Sequence, residues 1–305
     1  MRIHVLGSAA GGGFPQWNCN CRLCDGARNR RIKARPRTQS SIAVTGDGAN
    51  WLLCNASPDI LTQIRGFPGA QPARAIRDTG IRAIVLVDAQ IDHTTGLAML
   101  REHRQPLEIW STAEVREDLE DGYPLFRLLS HYCDVAWNEI APDNTTFSIP
   151  AVPGLALKAM PIPSNAPPYS PHRDRPAAGD NIALTIADVA TGRSLFYAPA
   201  LGAAHAGAGA AMRAADCVMV DGTCWTDDEM VTLGLSSRRA RDMGHRAVGG
   251  PDGTLAELTR LPASTRRILI HINNTNPMLD EDGPEHAAVR AAGVELAFDG
   301  MEFDA

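Results

Sequence analysis

Residues 83–100, AIVLVDAQIDHTTGLAML, pass from an apolar β-branched run through a charged loop into a helix-like pattern. The run AIVLVD reads as a buried strand that ends at Asp88. The loop QIDHTTG (90–96) then places Asp92 and His93 side by side before LAMLREH resumes helical spacing. Charged side chains at a strand-to-helix junction face an open sheet edge, so this stretch is read both for fold and for chemistry.

Working outward, the N-terminal RIHVLGS (2–8) is a second buried strand, followed by the glycine-rich AAGGGFPQW (9–17), whose glycines permit close backbone approach. SSIAVT (40–45) and NWLLCN (50–55) flank the turn residues GDGA as a hairpin, and PDILTQIRGF (58–67) has the spacing of a short helix. LEIW (107–110) is a strand and TAEVREDLE (112–120) helix-like, whereas LFRLLSHYCDVAW (125–137), in a looser stretch to about Pro150, is left unassigned. The second half repeats this plan. LALKAMPI (155–162) leads to a proline-rich loop, PSNAPPYSPHRDRPAAGD (163–180), long enough to be a lid, a binding loop or a surface excursion. NIALTIAD and RSLFYA pair across VATG, and CVMVD (217–221) is a buried strand ending at Asp221. LGAAHAGAGAAMRAA (201–215) is a small-residue helix, with His205 a solvent or packing residue. RILIHI (267–272) and VELAFDG (294–300) close the chain around a helix-like PEHAAVRAAG. Hairpins interleaved with helices favour an αββα four-layer sandwich, two mixed sheets flanked by helices, over a doubly wound parallel sheet. No low-complexity linker divides the 305 residues, so they read as one domain, 1–305, with an N-terminal metal loop at about 18–25.

A formal net charge of −6 argues against a nucleic-acid polyanion or an anionic membrane as main partner, since both need a basic face. No run of about 18 apolar residues and no cleavable leader pattern occurs, so the expected location is the cytoplasm. Three of the seven cysteines, Cys19, Cys21 and Cys24, crowd into CxCxxC, a spacing suited to holding one ion rather than to disulfides. Zinc with sulfur ligands takes a fourth protein ligand, and His245, in the glycine-flanked loop DMGHRAVGG (242–250), is the natural candidate for this structural Zn2+. Cys54 and Cys217 sit in apolar runs and read as small core residues; Cys133 and Cys224 are scattered.

His271 ends the strand RILIHI, so one metal could collect Asp92, His93 and His271. Two histidines and one carboxylate leave open positions on one face, the arrangement of non-haem Fe(II) oxygenases. Taken alone, an Asp-His pair also suits a capped helix start, and a strand histidine also suits a packed core.

A strand, a loop of pattern HxHxDH and a helix are the mark of the metallo-β-lactamase superfamily, and DAQIDH (88–93) resembles that motif with Asp88 and Gln90 in place of two histidines. The strand-end aspartate that usually bridges two metals would fall in FYAPALG (196–202), where Pro199 stands. Both departures speak against a dinuclear hydrolase. From LGSAAGGGFPQWNCNCRLC (6–24) through APPYSPHR, FYAPALG, VMVDGTCWTDDEM and HINNTNP, the whole chain resembles the PqqB family of pyrroloquinoline quinone (PQQ) biosynthesis. The CxCxxC element also resembles the phosphodiesterase of the carbon–phosphorus lyase pathway, which bears on His245.

The resemblance implies iron- and O2-dependent hydroxylation of the tyrosine ring of a Glu-Tyr unit excised from the precursor peptide PqqA. It implies Asp92, His93 and His271 as ligands of an active-site Fe2+, which another divalent metal can replace in a purified sample. Asp221 would orient a ligand or substrate, complete the coordination, or simply cap the turn DGT. Gln90 and Asp88 are expected as polar groups behind the ligands and near the substrate. Tyr169, His172, Arg173 and Arg175 in the long loop are candidates for recognising the carboxylates of an acidic substrate, or else solvated. The partners expected are therefore the peptide-derived substrate, PQQ as a product ligand, and a second copy in a homodimer. Two other readings stand beside the oxygenase: a metal-dependent hydrolase, and a non-catalytic carrier of PQQ toward the periplasm.

Overall fold

Fourteen strands form two seven-stranded sheets in the computed structural model, which describes residues 1–305. The first sheet orders its strands Glu302–Asp304, Arg2–Gly7, Ser41–Thr45, Trp51–Cys54, Ile81–Val85, Leu107–Ser111 and Val135–Glu139. The second orders them Glu295–Leu296, Arg266–Ile270, Cys217–Asp221, Ser194–Ala198, Ile182–Asp188, Leu155–Pro161 and Thr146–Phe147. Each sheet combines an antiparallel hairpin, Ser41–Thr45 with Trp51–Cys54 or Ile182–Asp188 with Ser194–Ala198, with parallel strands beyond it. The doubled plan read from the sequence is thus two mixed sheets.

Period-2 alternation explains how both faces of each sheet are covered. Leu52 and Cys54 point into the apolar layer between the sheets together with Ile3, Val5, Met219 and Ile270. Trp51 and Leu53 on the same strand point outward under the first sheet's helices. Cys217 and Met219 face inward, whereas Val218 and Val220 face the helical layer of the second sheet. Helix Ala206–Ala214 closes on that layer with Ala208 and Met212, four residues apart, and its small side chains allow the close approach. The sandwich is therefore αββα. Burial pushes the Cys54 and Cys217 thiols up to about 12, as suits inert core groups.

Two local features depend on tertiary context. His205 is the N-cap of helix Ala206–Ala214, its ring nitrogen accepting the Ala208 N–H. Residues 125–137 split into helix Leu125–Leu129 and the edge strand Val135–Glu139, whose alternation is blurred because one side is open to solvent. There Trp137 packs against the core beneath the first sheet's helices and carries the Arg116 guanidinium over its ring at 4.3 Å.

The site lies where the two sheets are stitched at one end. Ile182 N–H donates to Val87 O, Asp88 bridges to Asn181, and Ala9 bridges to Ile272. The C-terminal ends of Ile81–Val85, Cys217–Asp221 and Arg266–Ile270 meet at that seam.

Candidate metal centre

The Asp88 carboxylate accepts the Gln90 N–H at 2.9 Å, an Asx turn that carries the chain out of its strand into the single helical turn Ile91–Thr94. Ala56 N–H donates to His93 O and Gly96 N–H to Ala56 O, docking this turn on residues 55–57. Gly96 is required by that contact: a Cβ there would stand 2.2 Å from Ser57 O and 2.6 Å from Ala56 O, both backbone atoms. Gly96→Ala is expected to cost about 1–3 kcal/mol in chemical denaturation, because the turn must lift off its support. An unchanged denaturation midpoint would show that the docking is looser than these distances imply.

His93 is 1% exposed, and its Nδ1 lies 2.7 and 2.9 Å from the two Asp88 oxygens. Donation from Nδ1 to Asp88 fixes the tautomer, leaving the Nε2 lone pair free. That Nε2 is buried without a hydrogen-bond partner and stands 3.9 Å from Asp92 Oδ2. The opposite side is supplied by His271, which follows strand Arg266–Ile270 in a left-handed conformation, φ +60°. Such a backbone costs roughly 1–3 kcal/mol in a non-glycine residue. It is held by Ile272 N–H donating to Ser8 O and Ala10 N–H donating to Ile272 O. The turn aims His271 Nε2 at Asp92 Oδ2, 3.1 Å away. Two imidazole nitrogens and a carboxylate oxygen thus gather within 4.8 Å of one another. A buried, unpartnered nitrogen beside a carboxylate is what a metal ion satisfies, so the donor set fits a divalent cation.

Behind His271 lies a second layer of partners. Thr223 Oγ1 is 2.9 Å from His271 Nδ1 and also donates to Asp221 Oδ1, which is buried completely. Asp221 Oδ2 accepts from His245 Nδ1 at 3.0 Å. Burial opposes charge on Asp92 and Asp221, but His93 and His271 hold Asp92 far below the usual carboxylate range, and His245 with His271 holds Asp221 at about 2. Burial likewise opposes a charged His271, yet hydrogen bonds to Asp221 and Asp92, with their charges, raise it to about 10. His93 is raised too: burial lowers it, and Asp88 and Asp92 more than compensate. Without a metal, protons do the work of balancing the carboxylates.

The placement of His245 corrects the sequence reading. It does not approach the cysteines; Gly244, with φ +88°, turns the loop so that His245 joins Asp221 and His271. His245 and Thr223 are the members of this cluster that sequence reasoning misplaced or missed. The signal for Thr223 was its place in DGT, two residues beyond a strand-end aspartate. Cys19, Cys21 and Cys24 do converge, their sulfurs within 4.8 Å of one another. Backbone N–H groups of Gln16 and Cys21 point at Cys24 and Cys19 sulfurs, as thiolate ligands favour. Three free thiols so gathered fit one zinc ion.

The long loop also departs from expectation. Arg173 spends its guanidinium on Ala166 O, His172 lies 3.0 Å from Glu117, and Arg175 is exposed away from the site. Tyr169 donates its hydroxyl to Ala89 O. None of the four lines the cavity over the metal ligands, so none is brought to a substrate-binding position. Asp88 is likewise a buried support for His93 rather than a cavity wall. Gln90 does line the cavity, with its amide donating to Asn165 O, which ties the long loop to the metal loop. The cavity has a volume of about 230 Å³, and Ala200, Met230 and Met243 line it together with the ligands.

Comparison with known proteins matches residues 50–272 to the model of the β-lactamase superfamily domain. Coenzyme PQQ synthesis protein B of Azoarcus sp. (strain BH72) is 64% identical over 301 residues, covering 99% of each chain. The protein of the same name from Cupriavidus necator is 59% identical, covering 98% of each. The crystal structure of Zn2+-bound PqqB from Methylobacterium extorquens superposes with a TM-score of 0.90 at 35% identity, covering 100% of both chains.

Proposed function

The chain belongs to the family of coenzyme PQQ synthesis protein B, a branch of the β-lactamase superfamily, and from that footing we propose that it hydroxylates the tyrosine ring of the PqqA-derived Glu-Tyr unit with iron and O2. Its relatives carry a role in PQQ biosynthesis, and its superfamily fold fits a metal-dependent enzyme. The observation that carries the finer reading is the donor set. His93 Nε2, His271 Nε2 and one Asp92 oxygen converge, while in the motif that the sequence resembles Asp88, Gln90 and Pro199 replace residues that ligate another ion. Bound there, Fe2+ would supply O2 activation on the face that three ligands leave open.

The chain's own residues do the remaining work. Asp88 holds the His93 ring, and Thr223 with Asp221 holds His271, so both present a lone pair to the same point. Met230, Met243 and Ala200 give an aromatic ring an apolar wall. Gln90 and His245 are the polar groups on the same cavity. Ring hydroxylation inserts one oxygen atom and sends the other to water, consuming two electrons and two protons, so a reductant is required.

The Methylobacterium extorquens structure is described as Zn2+-bound, and zinc commonly serves hydrolysis, so a hydrolytic reading is tested alongside. Protein reconstituted anaerobically with Fe(II) is given reductant, Glu-Tyr substrate and 18O2. The expected product is heavier by one oxygen carrying the label. Addition of water, or an unchanged substrate alongside tight binding of PQQ, would replace this reading with the hydrolase or the carrier.

A further inference from the structure

The segment that follows His271 puts one further polar group on the wall of the metal cavity. Asn273 lines that cavity, and its backbone N–H donates to Thr223 O, which holds it beside the ligands. Its side-chain nitrogen has two hydrogens and finds two acceptors, Thr275 Oγ1 at 2.6 Å and Met230 Sδ at 3.3 Å. The Thr275 hydroxyl donates in turn to the buried Glu229 carboxyl group, whose other oxygen accepts the Trp225 N–H. A thioether accepts but never donates, so turning the amide over would set its oxygen against the Met230 sulfur with no hydrogen between them. The partners thus fix an orientation that the amide alone would leave open. With the nitrogen committed to Thr275 and Met230, Oδ1 is the end left for a ligand.

The consequence rests on the hydroxylation proposed above. The one carboxylate lining the cavity is Asp92, a metal ligand, and no lysine or arginine lines it. The charged ends of a Glu-Tyr unit therefore find no counter-charge inside, and the neutral ring is the part that enters. A phenol ring carries a single hydrogen-bond donor, its hydroxyl. We propose that Asn273 is the substrate-binding residue that selects a phenol, its Oδ1 accepting the ring O–H. An amide oxygen takes the hydrogen bond without taking the proton. The ring oxygen then stays a neutral hydroxyl, a poorer metal ligand than the phenolate that would compete for the open coordination face. Gln90 and His245 are the other cavity groups able to accept, but Gln90 is held through its side chain by a single bond to Asn165 O, and an imidazole nitrogen can present a proton instead of a lone pair. Asn273 is the one fastened at its donor end by two acceptors.

Isothermal titration calorimetry on the anaerobic, Mn(II)-loaded, full-length protein compares the dipeptides Glu-Tyr, Glu-Phe and Glu-(O-methyl)Tyr, with no turnover needed. The wild type is expected to bind Glu-Tyr at least about tenfold more tightly than the other two, which lack the donor. Asn273→Ala is expected to bring all three within about twofold of one another by weakening Glu-Tyr alone. Thr275→Val, which frees the amide to turn, should fall between. A residue that only supports the loop would weaken the three alike and leave their ratios unchanged, and that result would overturn the assignment. A wild type that binds all three equally, or none, overturns it whether or not the variants fold, as does a ratio that collapses in Gln90→Leu and not in Asn273→Ala. Should Asn273→Ala not fold, Thr275→Val with the full wild-type ratio overturns it equally. Hydroxylation that proceeds without selectivity at Asn273 leaves the proposed reaction standing and removes this residue; selective binding without hydroxylation does the reverse.

Discussion

His93→Ala is expected to lower the affinity of the active-site centre for Fe(II) or Mn(II) by two to three orders of magnitude and to abolish turnover with it. Structural zinc with four protein ligands binds with about 10–16 kcal/mol, or roughly 3 kcal/mol per ligand, and a ligand worth that much is worth a hundredfold or more in Kd. His93 is a ligand with little slack, since its ring is buried at 1% exposure and its Nδ1 is committed to Asp88. Its neighbours are poorer substitutes: Gln90 could offer only a neutral amide oxygen, since its nitrogen donates to Asn165 O, and Asp88 lies behind the ring. Asp88→Asn removes only the orienting charge and is expected to cost less, about 10–100-fold. Titration of Mn(II) followed by electron paramagnetic resonance reads both, with circular dichroism checking that each variant is folded. A folded His93→Ala protein that binds Mn(II) as the wild type does would remove His93 from the centre. An Asp88→Asn defect larger than that of His93→Ala would mean that Asp88, rather than His93, is the ligand.

DAQIDH placed Asp92 and His93 on a strand-to-helix junction, and the Asx turn at Asp88 is the local chemistry that puts them there. The hairpins and buried strands were equally legible, because alternation in runs such as NWLLCN reflects burial on two faces of a sheet. His271 was legible as a strand end, but its left-handed backbone was not, since nothing in HINNTN announces a positive φ at histidine. His245 shows the limit most clearly. Its glycine-flanked loop was a sound reason to expect function, yet which of two metal centres it serves depends on the direction Gly244 turns the chain, a tertiary property. Arg173 and Arg175 failed for a related reason: a proline-rich loop near a site need not aim its cations inward, and here backbone carbonyls and solvent take them.

The protonated state of His271 yields the second large effect, a steep dependence of metal affinity on pH. In the metal-free protein burial lowers its pKa, but Asp221 and Asp92 raise it to about 10, well above the usual 6.5. A metal at Nε2 must displace that proton, so affinity should rise roughly tenfold per pH unit between about 7 and 10 and then level off. His93, also raised, adds to the slope in the part of that range where it too carries a proton. Stability has the matching sign. A folded pKa above the unfolded value contributes stability that is complete below about 6.5 and is lost as pH rises through about 10. Asp221, held at about 2, contributes above its usual 3.8, and that contribution is lost as pH falls through 2. Metal-free protein should therefore melt at its highest temperature between about pH 4 and 6.5 and lose stability toward pH 10. Metal-loaded protein should not show the alkaline loss, because the ion replaces the proton between Asp92 and His271. Thermal melts of the chelator-treated and Mn(II)-loaded forms across this range measure the difference. Parallel curves would mean that His271 carries no proton for the metal to displace, and the carboxylate–histidine pairing that builds the centre would have to be redrawn.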